Sequence, residues 1–343
     1  MSCGRPLLKA VAILEKDANK DILWSWAFPS LEASERNSLQ AKLTFDAGEF
    51  VVVQLNDDCW FYMLSQSVPA NSTSLQLVSS AAVVLKTTQF HPEKYLRLLT
   101  TFSEVYLSSG SPPDVLRVYL TAQTDELIRQ EHTIINLKTF PDPTEIAPVR
   151  ELIRSLQLDS ILVYTALLLR LRVVVYHHSV SLLRRALMAM AALMSHRTQP
   201  FKDMYPLLCN SEHDVQLLRG KTSYLAGFID PSVAARQDLC DLWISLPSAE
   251  VVILPSAKDA LARCKTHKEI ALFLSRCAEN ERYSDKDVVK EISAKTRSLL
   301  TTISNIVHGD RSQTADKAIE KAQLPPAMAA FYRAVAHIEH IHN

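Results

Sequence analysis

The stretch "LLRLRVVVYHHSVSLLRRAL" (residues 168–187) decides the fold of the second half of the chain. Val173, Val174, Val175 and Tyr176 form a continuous apolar run, short and rich in β-branched residues. Such a run predicts a strand covered on both faces by helices, as in a parallel sheet. Upstream, Asp159 stands where it can cap a helix over "SILVYTALLLR" (160–170), which is apolar nearly all round and therefore buried. Downstream, "SVSLLRRALMAMAALMSH" (179–196) resumes helical spacing. Helix, strand, helix defines an α/β unit with a mainly parallel sheet. Further strands are expected at "MYPLL" (204–208), "SYLAGFID" (223–230), "DLWISL" (241–246) and "EVVIL" (250–254). Before this unit, Val149, Leu152, Ile153 and Leu156 fall on one helical stripe. From Ala257 onward the pattern is helical, through "DALARCKTHKEIALFLSRCAE" (259–279), a helix near 285–306, the loop "HGDRSQ" (308–313) and "AMAAFYRAVAHIEHI" (327–341).

The first third alternates strands and helices. "LLKAVAILEK" (7–16) and "DILWSWAF" (21–28) read as a hairpin. Pro29 ends the second strand, and Ser30 is positioned to cap the helix "LEASERNSLQ" (31–40). "EFVVVQL" (49–55) and "CWFYMLS" (59–65), joined by "NDD" (56–58), form a second hairpin, and "SAAVVLK" (80–86) a fifth strand. "HPEKYLRLLTTFSEVYLSSG" (91–110) is a helix stopped by Gly110, and a second helix runs from about Pro113 to Ile128. Residues 129–147 lose periodicity and carry Pro141 and Pro143, the signature of a linker. The expected organisation is a first lobe over 1–128, a linker over 129–147, an α/β lobe over 148–256 and a helical region over 257–343.

Composition narrows the function. The chain is 48% apolar and 22% charged with zero net charge, so nothing favours nucleic acid or a strongly anionic membrane as a partner. Cys3, Cys59, Cys209, Cys240, Cys264 and Cys277 lie far apart, which predicts free thiols in a reducing compartment. Glu15, Lys16 and Asp17 interrupt the first apolar run, as a secretory signal would not tolerate. The longest apolar stretch, Ile161 to Tyr176, is broken by Arg170 and Arg172. A cytoplasmic protein is expected, with any membrane association indirect, through a partner.

The candidate chemistry is sparse. Only six glycines occur, and none follows "VVVY", so no phosphate-binding loop and no cofactor are expected. His177 and His178 sit at the carboxyl end of the expected parallel strand, where ligands of open α/β sheets bind. "HHSVS" lacks the glycines a nucleophile elbow uses at Ser179, so the histidines read as the structural end of a strand, and no catalytic residue is expected. His337, His340 and His342 lie on or beside a terminal helix, a poor scaffold for a metal site, and no metal is expected. In "DILWSWAFP", period-two geometry puts Ile22, Trp24, Trp26 and Phe28 on one face. Most of that face belongs to the core, while Trp26 and Phe28, near the strand's end, are the candidates for partner contact.

The order of these elements resembles the tripartite DENN module. "LLLRLRVVVYHHSVSLLRRALMAM" (167–190) is similar to that family's helix, Arg, buried strand, Ser/Leu and helix signature, and "SYLAGFID" to its Tyr-Ile-Ile-Gly strand. "AILEKDANKDILWSWAFPS" (12–30), "FHPEKYLRLL" (90–99) and "ARCKTHKEIALFL" (262–274) support the same assignment. The resemblance implies an α+β two-lobed chain: a longin-like N-terminal lobe, an α/β DENN core lobe and a helical downstream region. It further implies a guanine-nucleotide exchange factor that grips the switch regions of a late-endosomal or secretory Rab GTPase between two lobes. That activity involves no covalent chemistry. The longer members carry a Tyr-Pro-Phe and then Trp segment where this chain reads "MSHRTQPFKDMYPLL" (194–208). The short members imply an alternative: a docking subunit, peripheral on late endosomes, that binds the coiled-coil subunits of the CCC part of the Commander complex.

Overall fold

The computed structural model describes residues 7–56, 59–69, 74–130, 133–308 and 314–341. Cys3, His342, Asp57, Asp58 and most of "HGDRSQ" lie outside them. The chain divides into two compact units, residues 1–143 and 144–343.

The first unit is built on β1 (Leu8–Asp17), β2 (Ile22–Phe28), β3 (Phe50–Asn56), β4 (Cys59–Ser67) and β5 (Val78–Thr87). These make one five-stranded sheet in the order β2-β1-β5-β4-β3, every neighbour antiparallel. Among the described residues this unit has the helices α1 (Ala33–Gln40), α2 (Pro92–Ser109) and α3 (Pro112–Asp125). The contacts sort them onto two faces. Lys86 of β5 pairs with Glu35 of α1 at 2.6 Å. From the opposite face, Tyr62 of β4 meets Tyr95 of α2 with ring centroids 4.7 Å apart, and Phe28 of β2 meets Tyr119 of α3 at 6.3 Å. A sheet apolar on both faces requires cover on both, and the middle residues of β1, β4 and β5 are accordingly buried without alternation. Gly110 ends α2 in the left-handed conformation expected of it, at φ 65°.

Sequence and structure differ at two helix ends here. Ser30 does not cap α1; Glu32 and Glu35 form a reciprocal capping box instead. The helix expected to reach Ile128 stops at Asp125, with Glu126 left-handed at φ 52°. Residues expected to be linker then form a small hairpin, β6 (Leu127–Gln130) with β7 (Thr133–Asn136). Ile134 is exposed while Ile128 and Ile135 are buried, the alternation of a half-covered ribbon.

The second unit opens with α4 (Val149–Leu156) and α5 (Ser160–Leu168), followed by β8 (Arg172–Tyr176) and α6 (Val180–Ala192). Next come β9 (Met204–Leu208), α7 (Glu212–Arg219), β10 (Tyr224–Phe228), β11 (Leu242–Ser245) and β12 (Glu250–Ile253). The sheet order is β12-β11-β8-β10-β9, with β8 in the middle. The pairs β11/β8, β8/β10 and β10/β9 are parallel, and β12 joins the edge antiparallel. Val174, Ala226 and Phe228 enter one core cluster with Val215 and Leu218 of α7. On the other face Gly227 lies under α6: a Cβ there would sit 2.5 Å from Leu187 Cδ1 and 2.7 Å from the Pro206 carbonyl. The glycine is therefore required by the approach of helix to strand.

Among the described residues the unit continues with α8 (Lys265–Glu279), α9 (Asp285–His308), α10 (Ala315–Lys321) and α11 (Pro326–Ile338). They share a core with α4 and α5. The Tyr164 hydroxyl meets Thr296 Oγ1 at 2.8 Å, both buried, and the Arg150 N–H donates to Asp285 at 2.8 Å. The periodicity expected over 259–279 begins only at Lys265, because Cys264 takes the N-cap position. Asp159 precedes α5 without capping it by its side chain, pairing instead with Arg263 at 2.9 Å. The helices α7 and α10 have no counterpart in the sequence reading; both are short, and short helices are held by packing more than by propensity.

Candidate functional site

β8 emerges from the sheet at Tyr176, and the two histidines stack on each other with ring centroids 4.3 Å apart. His177 is buried and its backbone N–H continues the ladder to the Phe228 carbonyl at 3.1 Å. Its Nδ1 accepts the Ser179 N–H at 2.8 Å, which places the ring proton on Nε2. In a serine-type triad the assignment is reversed, with Nδ1–H donating to a carboxylate and Nε2 accepting from the nucleophile. Ser179 is engaged elsewhere: its Oγ caps α6 by accepting the Leu182 N–H. Burial, reinforced by the neighbouring His178, lowers the His177 pKa below its ordinary value, so the ring is neutral. The pair closes a strand and starts a helix. Near it, a cavity of about 150 Å³ is lined by Leu152, Leu182, Leu246 and His177, with the Arg185–Glu151 ion pair also on its wall.

At the far end of the chain, His337 is on α11 and His340 just past it, and no group of metal-ligating side chains occurs among the described residues. Cys59, Cys209, Cys240, Cys264 and Cys277 are free thiols. Among the described residues no helix is long and apolar enough to cross a membrane.

The candidate partner strand departs from the expected alternation. Leu14 stands opposite Trp24 and Ile13 opposite Trp26, so Ser25 is an extra residue in β2, with its hydroxyl donating to the Ile13 carbonyl at 3.3 Å. Cross-strand partners share a face, and the bulge reverses the parity of β2 at this point. Ile22 and Trp24 therefore lie on the α1 side, where Trp24 Nε1–H donates to Gln40 at 3.3 Å. Trp26 and Phe28 lie on the α2/α3 side together with Leu23. The single aromatic face expected from period-two spacing is thus split in two. Both tryptophans are half-buried, Phe28 is 39% exposed and Leu23 is 64% exposed. Simple alternation puts Leu23 on the face opposite Trp26 and Phe28; the bulge brings it to their side. β2 is an edge strand, and these side chains stand at that edge.

The segment 194–208, which differs from the family's Tyr-Pro-Phe pattern, carries a feature that sequence reasoning missed. Arg197 Nε and Nη2 donate to Glu339 Oε1 at 3.1 and 2.5 Å, while Nη1 and Nη2 donate to the Leu167 and Leu168 carbonyls at 3.1 and 2.8 Å. The guanidinium thus closes the carboxyl end of α5 and ties the end of α11 to it. Burial works to raise the Glu339 pKa, but His196 at 3.8 Å and the bonded Arg197 outweigh it and hold the carboxyl at about 2. No local pattern announces a pair this distant in sequence. A second missed feature had a signal: the Cys264 and His267 spacing is that of a capping box, and the Cys264 N–H donates to His267 Nδ1 at 3.1 Å.

No protein-family model matches the chain. It is 30% identical over 333 residues to DENN domain-containing protein 10 of Danio rerio, covering 95% of each chain. To the Homo sapiens protein of that name it is 29% identical over 337 residues, covering 95% of this chain and 94% of the other. To that of Dictyostelium discoideum it is 26% identical, covering 99% of both. Similarity of this extent, over a mixed α/β chain of two units, defines the class: this is a DENN-domain protein. Within that class the chain belongs to the family of DENN domain-containing protein 10.

Proposed function

We propose that this chain is an endosomal DENN-module regulator that accelerates nucleotide release from a Rab GTPase by gripping its switch segments. The observation that carries this reading is the similarity to DENN domain-containing protein 10 along nearly the whole chain. In this reading the first unit, an antiparallel sheet with α1 on one face and α2 and α3 on the other, is the longin-like lobe over 1–128. The α/β sheet over 148–256 is the core lobe, 129–147 the linker and 257–343 the downstream helical region. An exchange factor displaces a nucleotide whose picomolar affinity corresponds to about 16 kcal/mol, so it must bind the empty GTPase more tightly than the loaded one. The test is release of labelled GDP from a panel of purified Rab proteins at substoichiometric amounts of the chain. Acceleration of one Rab supports the proposal, and a flat panel sinks it.

A second reading is a docking subunit, peripheral on late endosomes, for the coiled-coil subunits of the CCC part of the Commander complex. What favours it is the β2 edge, where Leu23 and Phe28 are exposed and Trp26 is half-buried on the same side. Copurification with the coiled-coil pair, lost in a folded Leu23→Asp/Phe28→Asp variant, supports this reading; unchanged copurification removes β2 from it.

A further inference from the structure

The cavity of about 150 Å³ beside His177 lies at the carboxyl ends of β8 and β11. The chain leaves β8 through α6 for β9 and β10 on one side of it, then crosses to β11 on the other. The winding of the sheet therefore reverses between β8 and β11, and the crevice outside the carboxyl ends at such a reversal is where open α/β sheets bind ligands. The two strands stay joined to their ends, the Leu246 N–H donating to the Tyr176 carbonyl at 3.1 Å. The residue that follows each strand, His177 after β8 and Leu246 after β11, lines the cavity, and Leu152 of α4 with Leu182 and Ala186 of α6 supply its other apolar walls.

Most polar groups around it are already engaged. The Ser155 hydroxyl donates to the Leu152 carbonyl at 2.9 Å, and Arg185 pairs with Glu151 at 2.5 Å, both of these side chains standing well into solvent. His177 differs. It is 8% exposed, its Nδ1 is taken by the Ser179 N–H, and its Nε2–H has no hydrogen-bond partner among the described residues. A buried donor without an acceptor is unfavourable until one is supplied.

These features narrow the ligand. A cavity of about this volume holds a molecule the size of benzene, so the ligand has roughly six to eight heavy atoms. One free donor asks for one acceptor. The walls carry a cation already neutralised by an anion, and the His177 ring is itself uncharged. A carboxylate would lose its hydration there without gaining a counter-charge, a penalty that a carbonyl oxygen escapes. Because the donor is buried, the acceptor has to enter together with the apolar group. A peptide that inserts only a side chain keeps its carbonyl outside. We propose that this cavity binds a small uncharged carbonyl compound with a branched aliphatic or aromatic body, its oxygen accepting from His177 Nε2.

The test is titration of the full chain with isocaproamide, followed in proton–nitrogen correlation spectra of the histidine side chains. The His177 signal is the one absent from a His177→Phe variant. The expected result is saturable binding that shifts this signal and weakens about three- to tenfold in His177→Phe, the range for one lost hydrogen bond. Ala186→Leu, whose added carbons occupy the cavity, is expected to weaken binding about tenfold or more, and it decides alone if His177→Phe does not fold. Binding persists in Leu272→Ser, an exposed position on α8 away from the cavity. Isocaproate, the same body with a charged carboxylate, binds more weakly than the amide. No saturable binding, unchanged affinity in folded Ala186→Leu, equal loss in Leu272→Ser, or tighter binding of isocaproate overturns the proposal. So does binding of N-acetylleucinamide as tight as that of isocaproamide, which would assign the cavity to a leucine side chain of a partner protein.

Discussion

Trp24 and Trp26, separated by one residue in β2, lie on opposite faces of the same sheet. Trp24 is tied to α1 through Gln40, and Trp26 stands with Phe28 on the side of α2 and α3. The bulge at Ser25 therefore gives the edge strand two different jobs. One face is anchored, and the other keeps exposed apolar surface at Leu23 and Phe28.

This division separates two substitutions that look alike in sequence. Leu23→Asp, at an exposed position, is expected to change stability by no more than about 0.5 kcal/mol. Trp26→Asp sets a carboxylate opposite fully buried Ile13 and is expected to cost about 2 kcal/mol or more. Urea unfolding of the two variants checks the difference. Equal midpoints would show that Trp26 is not packed as described.

Gly227→Ala tests the seat of α6 on β10. Adding a methyl group in place of a glycine hydrogen ordinarily stabilises a chain by up to about 1 kcal/mol where the backbone allows it. Here the new carbon meets Leu187 and the Pro206 carbonyl, so overpacking is expected to reverse the sign and destabilise by about 1–3 kcal/mol. A thermal melt that rises instead would contradict the close approach.

His267 gives the stability a pH dependence. Burial, helped by nearby Arg263, lowers its pKa from 6.5 to about 4. The unfolded chain takes up this proton as the pH falls through 6.5, whereas the folded chain resists until about 4. Stability from this group is complete above pH 7 and is lost progressively down to pH 4, amounting to about 3 kcal/mol. His267→Gln keeps an acceptor for the capping box and is expected to flatten that part of the profile. Parallel wild-type and variant curves of unfolding free energy against pH would rule this out.

Glu339→Gln removes the charge that Arg197 holds. The expected cost is about 1.5–3 kcal/mol, the range for a hydrogen bond to a charged group. The loss should be local, with faster amide hydrogen exchange along α11 and little change in the parallel sheet. The contribution of this carboxylate vanishes as the pH falls from its ordinary range near 4.5 towards about 2, so wild type and variant converge in acid. Unaltered exchange in α11 would argue against its anchoring role.

The sequence by itself determined the strands of the two five-stranded sheets and most of the long helices, because each is written in local periodicity, whereas the hairpin β6/β7 was not legible there. The run at Val173–Val175 became the middle of the sheet, and the alternations at 7–16 and 21–28 became its counterpart hairpin in the first unit. Gly110 stopped its helix where expected, since only backbone geometry is at stake there. That the strand ends just before the histidine pair also followed from sequence, through the length of the apolar run. Tertiary structure alone decided which face each side chain of β2 takes, because one bulged residue reverses a parity that counting by twos cannot detect. It also decided the partners of Arg197 and Asp159 and the cavity beside His177. Those depend on side chains brought together from distant parts of the chain, where spacing along the sequence carries no information about distance in space.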